Sequence, residues 1–507
     1  YLMIDTALFD QDFKASLLAT FDNLERAISG LLIHGENFQA LNLVMEKYRR
    51  QVKCVYIDPP YNSKTSEILY KNTYKHSSWL ALMENRLVVS RYLSTGDGSH
   101  IVAIDENEQE NLGLLLKTIF PNHEHICVSI RHNKKGIQGD YFSYNHDYAY
   151  FCLPPELQET NEEKIPKDEW EYANLRKWGS ESRRHTAKNC FYPILVQDKQ
   201  IVGFGNVCSD DYHPGSSNIR RENGIIEVYP VDSEGIERKW RYARDSVSDI
   251  KSALKVHVTR EDRIQILKAK TTFRYKTMWT DEKYIAGDYG TRLLTEMGLN
   301  PKENLYPKSI HTVHDSIYAV SDPKSLVMDY FAGSGTTAHA VMKLNQEDDG
   351  ERKYILVEMG DYFNTVLKPR ILKAVFSSSW KDGVPQNREG MSHMVKYHRI
   401  ESYEDALNNI QVKQPVGGQL ELLRQFDDYM LHYMLDFETR DSSTLLAQEA
   451  FERPFGYTLK IQRGHESPQD EKVDLVETFH YLIGMHVRRM ERYEHQGRTY
   501  VVSRGEV

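Results

Sequence analysis

Apolar positions near the amino terminus recur at three and four: Phe13, Leu17, Leu18, Phe21, Leu24, Ile28 and Leu31, the spacing of one helical face. The period then changes. Leu31-Leu32-Ile33 is a short apolar run that stops at His34-Gly35, and Phe38, Leu41, Leu43, Val44 and Tyr48 return to helical spacing. Val52 to Ile57 reads as a strand ending on Asp58-Pro59-Pro60. Ile101 to Ile104 is another, closing on Asp105 ahead of a helical stretch through Phe120, and Ile126 to Ile130 and Tyr148 to Leu153 add two more. Strand and helix in alternation predict an α/β domain whose parallel sheet is covered by helices.

From about Pro154 to Leu294 the texture differs. Short Tyr, Trp and β-branched runs (Phe191 to Ile194, Gly224 to Pro230, Lys239 to Tyr242) are broken by Gly, Asn, Asp and Pro, which predicts a β-rich insert. The sheet pattern then resumes: Leu326 to Met328 ends on Asp329 and a glycine turn, Thr337 to Leu344 reads as helix, and Tyr354 to Val357 ends on Glu358. Beyond Tyr397 lie amphipathic stretches, Leu420 to Leu435 and Val473 to Met490. The predicted divisions are 1–154, 155–294, 295–396 and 397–507, the insert interrupting one sheet domain and a mixed α/β segment following it.

Composition adds exclusions. The 507 residues are 40% hydrophobic and 27% charged, which is globular and excludes wholesale disorder. No apolar run is long enough for a membrane-spanning helix. Five cysteines, odd in number and without a C-x-x-C pair, argue against a disulfide framework or zinc ribbon and for a reducing cytoplasmic setting, with no metal site. They read as core or incidental residues. The opening Tyr1-Leu2-Met3 has no signal pattern, and Val507 closes on what reads as an unfinished strand, so the natural termini are expected to lie further out. Net charge is −9, but Glu171 to Thr280 carries 20 Lys or Arg against 14 Asp or Glu. From Glu401 onward the balance is 12 against 19. A basic middle is compatible with a polyanion face, because phosphate contacts depend on the local patch.

Asp58-Pro59-Pro60-Tyr61-Asn62 follows directly on a strand, at the sheet edge where open α/β folds place ligands. Two prolines make a stiff turn with projecting carbonyls. A carboxylate beside them can accept the hydrogens of an exocyclic amine, and Tyr61 offers a flat face for a base turned out of a duplex. The bland alternative is an ordinary Pro-Pro loop. A second turn, Asp329-Tyr330-Phe331-Ala332-Gly333-Ser334-Gly335-Thr336-Thr337, opens a helix. Its glycines admit a ligand to the backbone, and Glu358 stands one strand later, where a carboxylate can take both hydroxyls of a ribose. It has neither the lysine of a phosphate loop nor the full three-glycine dinucleotide fingerprint.

Together, Asp58 to Asn62 and Asp329 to Thr337 resemble the catalytic and cofactor motifs of the DNA amino-methyltransferases. The catalytic motif comes first by about 270 residues, with the basic insert between, which resembles the β group of that family. Leu32 to Asn37, Asn145-His146-Asp147-Tyr148, Tyr306-Pro307-Lys308-Ser309 and Val473 to Phe479 extend the resemblance to the modification (Mod) subunits of type III restriction-modification systems. Glu36 departs from the pattern, standing where relatives often carry Asp.

The resemblance implies a doubly wound, Rossmann-like methyltransferase sheet with a target-recognition insert, transferring methyl from S-adenosylmethionine to N6 of adenine in double-stranded DNA. It implies that Asp58 and the Pro59 carbonyl, in the Pro59-Pro60 turn, accept the target amine and that Tyr61 stacks on the base. For the cofactor it implies Asp329, Phe331, Ala332, Gly333, Gly335, Thr336 and Thr337, with Glu358 on the ribose, Glu36 or Asn37 on the adenine, and Lys308 at the border. A homodimer and a helicase-nuclease (Res) partner follow on the same ground. For DNA contact the insert offers Arg183, Arg184, Arg220, Arg221, Arg238, Lys239 and Arg241, reading guanine edges or holding phosphates. Trp178, Tyr192, Trp240, Tyr242 and Trp279 read as core of that insert. Two rivals are a catalytically silent DNA-specificity subunit and a cytosine-N4 or RNA amino-methyltransferase.

Overall fold

The computed structural model describes residues 3–62, 75–139, 141–300, 305–409, 454–463 and 467–507. They form two compact units, Glu162–Tyr275 and the remainder on either side of it. Residues 155–161 and 276–294, read from the sequence as insert, thus group with the first unit.

The first unit is built on a nine-stranded sheet of β1 (Gly30–His34), β2 (Val52–Ile57), β3 (Ser94–Ile104), β4 (Glu124–Arg131), β5 (His146–Leu153), β6 (Met278–Trp279), β7 (Leu326–Asp329), β8 (Lys353–Glu358) and β9 (Val395–Arg399). Their order is β6-β4-β5-β3-β2-β7-β8-β1-β9. Only β5 runs antiparallel, to both β3 and β4. Helices α1 (Asn37–Tyr48), α2 (Lys75–Leu93), α3 (Gln109–Ile119), α4 (Ile310–Val320), α5 (Thr336–Asp348) and α6 (Leu367–Phe376) connect the strands. This is the helix-covered sheet that the pattern predicts, in the doubly wound, Rossmann-like form that the resemblance implies. From β2 the chain crosses through α2 to β3 on one side, and from β7 through α5 to β8 on the other. Since β2 and β7 are parallel neighbours, with Val55 opposite Met328, their carboxyl ends lie side by side where the winding reverses.

Every residue of β2 is buried, as expected of a strand covered on both faces. Trp79, Met83 and Leu87, four apart on α2, are inaccessible and share one core with Ala40, Leu41 and Val44 of α1. Cys54 and Cys152 lie in the same sheet, buried and unpaired. Ser309 caps α4 through the His311 N–H at 3.2 Å. Gly335 starts α5 at φ +79°, and a Cβ there would stand 3.3 Å from Leu367 Cγ. Gly335→Ala is therefore expected to cost about 1–2 kcal/mol and to lower the melting temperature by about 2–4 °C. Calorimetry checks this, and an unchanged transition would contradict the strain.

Three expected elements differ. The apolar series from Phe13 to Leu31 is not one helix: Asp10 and Asn23 cap separate helices, Gln11–Ala19 and Leu24–Ala27, before β1 begins. Val473 to Met490 is half helix, α7 (Leu475–Leu482), and half strand, because Gly484 at φ +71° turns the chain into the hairpin His486–His495 with Arg498–Glu506. Tyr481 of α7 belongs to the main core. Lys239 to Tyr242 contributes an isolated bridge, Arg176 to Trp240, rather than a strand. The stretch Leu420 to Leu435 lies outside the described residues.

The second unit is β-rich. Gln200–Phe204, Ile194–Gln197, Ile226–Val228 and Asn218–Arg220 form one antiparallel sheet, and Leu254–Val258, Ile264–Lys270 and Glu171–Asn174 another. Tyr192, Trp240, Leu175, Val228 and Ile266 make its core, with Tyr242 packed against it. Two expected core residues are elsewhere: Trp178 is 54% exposed under the Arg176 guanidinium, and Trp279 is buried in the first unit, on β6. Among the described residues no helix is long and apolar enough to cross a membrane.

Candidate active site

Where β2 ends, Asp58-Pro59-Pro60-Tyr61 turns out of the sheet. The Trp79 indole N–H of α2 donates to the Pro60 carbonyl at 2.8 Å, pinning the turn and taking one of its two proline carbonyls. Asn62, at φ +58°, donates to Glu108 at 2.6 Å, a carboxylate without solvent exposure that also meets His76 and Asn111. Tyr61 donates its hydroxyl to Asp58 Oδ1 at 2.5 Å. The turn is thereby held from three directions.

Lys308, in the segment ahead of α4, belongs to this group. Its Nζ is ion-paired with Asp147 on β5, stands 3.7 Å from Asp58 Oδ1, and lies 4.6 Å from the centre of the Tyr61 ring. His132 Nδ1 is 3.1 Å from the other Asp147 oxygen. These contacts are with the Asp58 turn; the resemblance implies that Lys308 also borders the cofactor. Burial opposes charge on Asp147, yet Lys308 and His132 outweigh it and hold the carboxyl at about 2. Lys308 likewise keeps its proton against burial because two carboxylates face it. Asp58, further from the ammonium than Asp147 is, is pushed up by burial despite Lys308 and the Tyr61 hydroxyl.

On the neighbouring strand Asp329 accepts the Phe331 N–H at 3.0 Å and the Thr337 hydroxyl, which closes the glycine turn on itself. Burial pushes Asp329 up to about 7, with Asp58 and Glu358 adding to the effect. Glu358, at the end of β8, accepts the Gly333 N–H at 2.8 Å and the Gly360 N–H at 2.7 Å, and burial raises it too. Arg370 of α6 is wholly buried beneath the turn and donates to Ser334 Oγ and Thr336 Oγ1, both at 2.8 Å. Burial brings its guanidinium down to about 9. Glu36 caps α1 through the Gln39 N–H and pairs with Arg86 at 2.5 Å. Asn37 donates to the Tyr330 carbonyl at 3.0 Å and accepts from Arg86. Glu36 and Asn37 therefore tie α1 and α2 to the residue preceding Phe331.

Asp329 and Glu358 are buried carboxyls and Asp58 is part-buried, and all three are raised at the ends of three strands. A cationic ligand entering there lowers all three. Glu358 also accepts from the Tyr362 hydroxyl and the Met359 N–H, so a pair of ribose hydroxyls would take over acceptor positions that these neighbours now fill. The donor set therefore fits a positively charged nucleoside.

The sequence profile of the N6/N4 DNA methylases matches residues 52–368, from the start of β2 into α6. The chain belongs to this DNA methylase family. It is 26% identical over 390 residues to the type III restriction-modification EcoPI Mod subunit of Escherichia phage P1, covering 66% of this chain and 58% of that one. To the type II methyltransferase M.KpnI of Klebsiella pneumoniae it is 25% identical over 376 residues, covering 69% and 85%. The chain thus spans under two thirds of the length of that Mod subunit. A DNA modification methylase from Thermus thermophilus, with bound S-adenosyl-L-methionine, superposes at a TM-score of 0.35 and 10% identity, over 73% of this chain and 98% of that one.

The second unit carries the expected DNA-contact residues, and their side chains divide. Arg184 is 8% exposed, stacked over Phe191 and donating to Glu237 and to the carbonyls of Tyr212 and Ser209. Arg238 donates to Asp232 at 2.7 Å and Ser182 at 2.9 Å. Both guanidiniums hold the unit together. Arg220 and Arg221 are exposed beside Asp262 and Glu227, Arg183 and Arg241 are exposed, and Lys239 is half-buried. Arg183 lines a cavity of about 630 Å³ with His185, Lys188 and His213. The sequence reading missed Asp147 as a site residue, and His132, Arg86, Glu108 and Arg370 altogether. Asp147 had a signal, since Asn145 to Tyr148 resembles a family motif.

Proposed function

We propose that the chain is a site-specific DNA methyltransferase that moves a methyl group from S-adenosylmethionine to N6 of adenine. In this proposal it is the modification and DNA-recognition subunit of a type III restriction-modification system, working in the cytoplasm. The observation that carries it is the pairing of two turns on adjacent strands, Asp58 to Tyr61 after β2 and Asp329 to Thr337 after β7. Asp ahead of Pro-Pro-Tyr favours adenine by family resemblance, and the Mod relatives support the system. Residues 1–161 and 276–396 are then the two halves of the methyltransferase domain, 162–275 the target-recognition domain, and 397–507 the region for the homodimer and for a helicase-nuclease (Res) partner.

S-adenosylmethionine, when bound, supplies an electrophilic methyl on a cationic sulfonium. Asp329, Phe331, Ala332, Gly333, Gly335, Thr336 and Thr337 would line it, and Glu358 would take the ribose. Asp58 and the Pro59 carbonyl accept the amine hydrogens and so aim the nitrogen lone pair. Tyr61 packs on the extruded base, its hydroxyl fixed by Asp58. Positioning of this kind supplies most of the acceleration, and no covalent nucleophile takes part.

Labelled cofactor, duplex DNA and nucleoside analysis of the product test this. Label in N6-methyladenine is expected. Label in N4-methylcytosine would move the chain to the cytosine branch, and no label in DNA would leave a silent specificity subunit. Light scattering is expected to give about twice the chain mass of 59.1 kDa.

A further inference from the structure

Between β4 and β5 the chain makes a hairpin, Ile137–Gln138 paired with Ser143–Tyr144. Its tip carries Tyr141, 93% exposed, and Phe142, 81% exposed, with Ile137 and Tyr144 beneath them also in solvent. The Gly139 N–H donates to the Phe142 carbonyl at 3.0 Å. A Cβ at 139 would stand 3.0 Å from Tyr144 Cε2, so glycine there lets the Tyr144 ring brace the tip. Two adjacent rings held out on a closed turn are a surface built to be covered.

The root of the hairpin belongs to the candidate active site. Its outgoing arm follows His132 and its returning arm leads through Asn145 and His146 into Asp147, whose carboxylate holds Lys308 beside Asp58. At the root Lys135 is exposed, while Lys134 is shared by Glu282 and Asp288 at 3.4 Å each. Asp147 lies six positions beyond Tyr141, a reach of at most about 20 Å, or roughly six base steps. The tip is therefore within that reach of Asp147, whose carboxylate holds Lys308 beside Asp58.

Resting on the methyltransferase function proposed above, we infer that Tyr141 and Phe142 enter the DNA duplex at the position the target base vacates, stacking on the bases left behind. Aromatic rings replace the lost stacking whatever the sequence, and apolar wedges between base steps favour the opened form. The occupant is duplex DNA, because the rings sit beside a site for one extruded base and have a cation at their foot.

The test uses the full chain with both tip residues replaced, Tyr141→Ser with Phe142→Ser, and a duplex holding 2-aminopurine at the target adenine. Wild type is expected to raise the 2-aminopurine fluorescence, and the variant to lose most of that rise. On fully paired DNA kcat/KM should fall about tenfold or more, from the stacking lost. On a duplex with a mismatch opposite the target adenine it should fall only a few-fold. Melting temperature and cofactor binding should stay as in wild type. Equal losses on the two duplexes, or no loss on either, would overturn the inference. So would a change of mass in light scattering, which would make the tip a contact between copies of the chain. Wild type inactive on both duplexes would instead overturn the methyltransferase function, and this inference with it.

Discussion

Asp58→Ala is expected to lower methyl transfer by at least about a thousandfold while cofactor affinity stays within a few-fold, because this carboxylate aims the amine and does not line the cofactor. The side chain sits among Tyr61, Lys308 and Asp147, so its loss also removes the hydrogen bond from the Tyr61 hydroxyl to Asp58 and leaves Lys308 with Asp147 as its remaining carboxylate neighbour in that group. Asp58→Asn separates the two effects. It keeps a carbonyl acceptor for Tyr61 but loses the negative charge, and is expected to retain some activity. Cofactor titration by calorimetry and single-turnover transfer on one duplex measure both quantities. A variant that binds cofactor poorly would reassign Asp58 to the cofactor, and one that turns over normally would remove it from the chemistry.

The strand ends were legible in the sequence because physics marks them locally. Each of Asp58, Asp329 and Glu358 closes an apolar run, and prolines or glycines follow at once, so charge and turn chemistry point to one sheet edge. The β-rich texture of the insert was legible for the same reason. Helix α2 was not recognised, although Trp79, Met83 and Leu87 recur at four, because Leu80, Leu82, Val88 and Val89 spread apolar positions over its other faces and blur the single stripe. Caps at Asp10 and Asn23 broke a helical period that hydrophobic spacing alone could not break. Charge counting found the basic insert but could not tell Arg184 and Arg238, turned inward onto Glu237 and Asp232, from outward arginines. The place of Lys308 was hidden most completely. Its partner Asp147 is 161 residues away, and only the folded sheet brings β5 to the segment ahead of α4.

That hidden contact gives the second large effect. Lys308→Met removes the positive charge facing Asp58, whose carboxyl burial already pushes above its ordinary range. Its pKa then rises further, so the ionised form that accepts the amine persists only at higher pH. The acid limb of the kcat/KM profile should move up by about one pH unit, roughly the 1.4 kcal/mol of one lost partial ion pair, and activity at a fixed pH on that limb should fall by up to about tenfold. Asp147→Asn works the other way. It removes a negative neighbour of Asp58 and releases Lys308 toward it, so the acid limb should move to lower pH. The groups facing Asp58 are Tyr61 on its own turn, Lys308 ahead of α4, Asp147 on β5, Asp329 on β7 and Tyr56 on β2. Of these Asp329, near 7, is the one able to mimic such a limb. Opposite shifts in the two variants separate the cases, since the largest influences on Asp329 are burial, Thr337, Phe331, Asp58 and Glu358 rather than Lys308. Parallel losses of activity with an unmoved limb in both variants would make Lys308 and Asp147 mere scaffolding for the Asp58 turn.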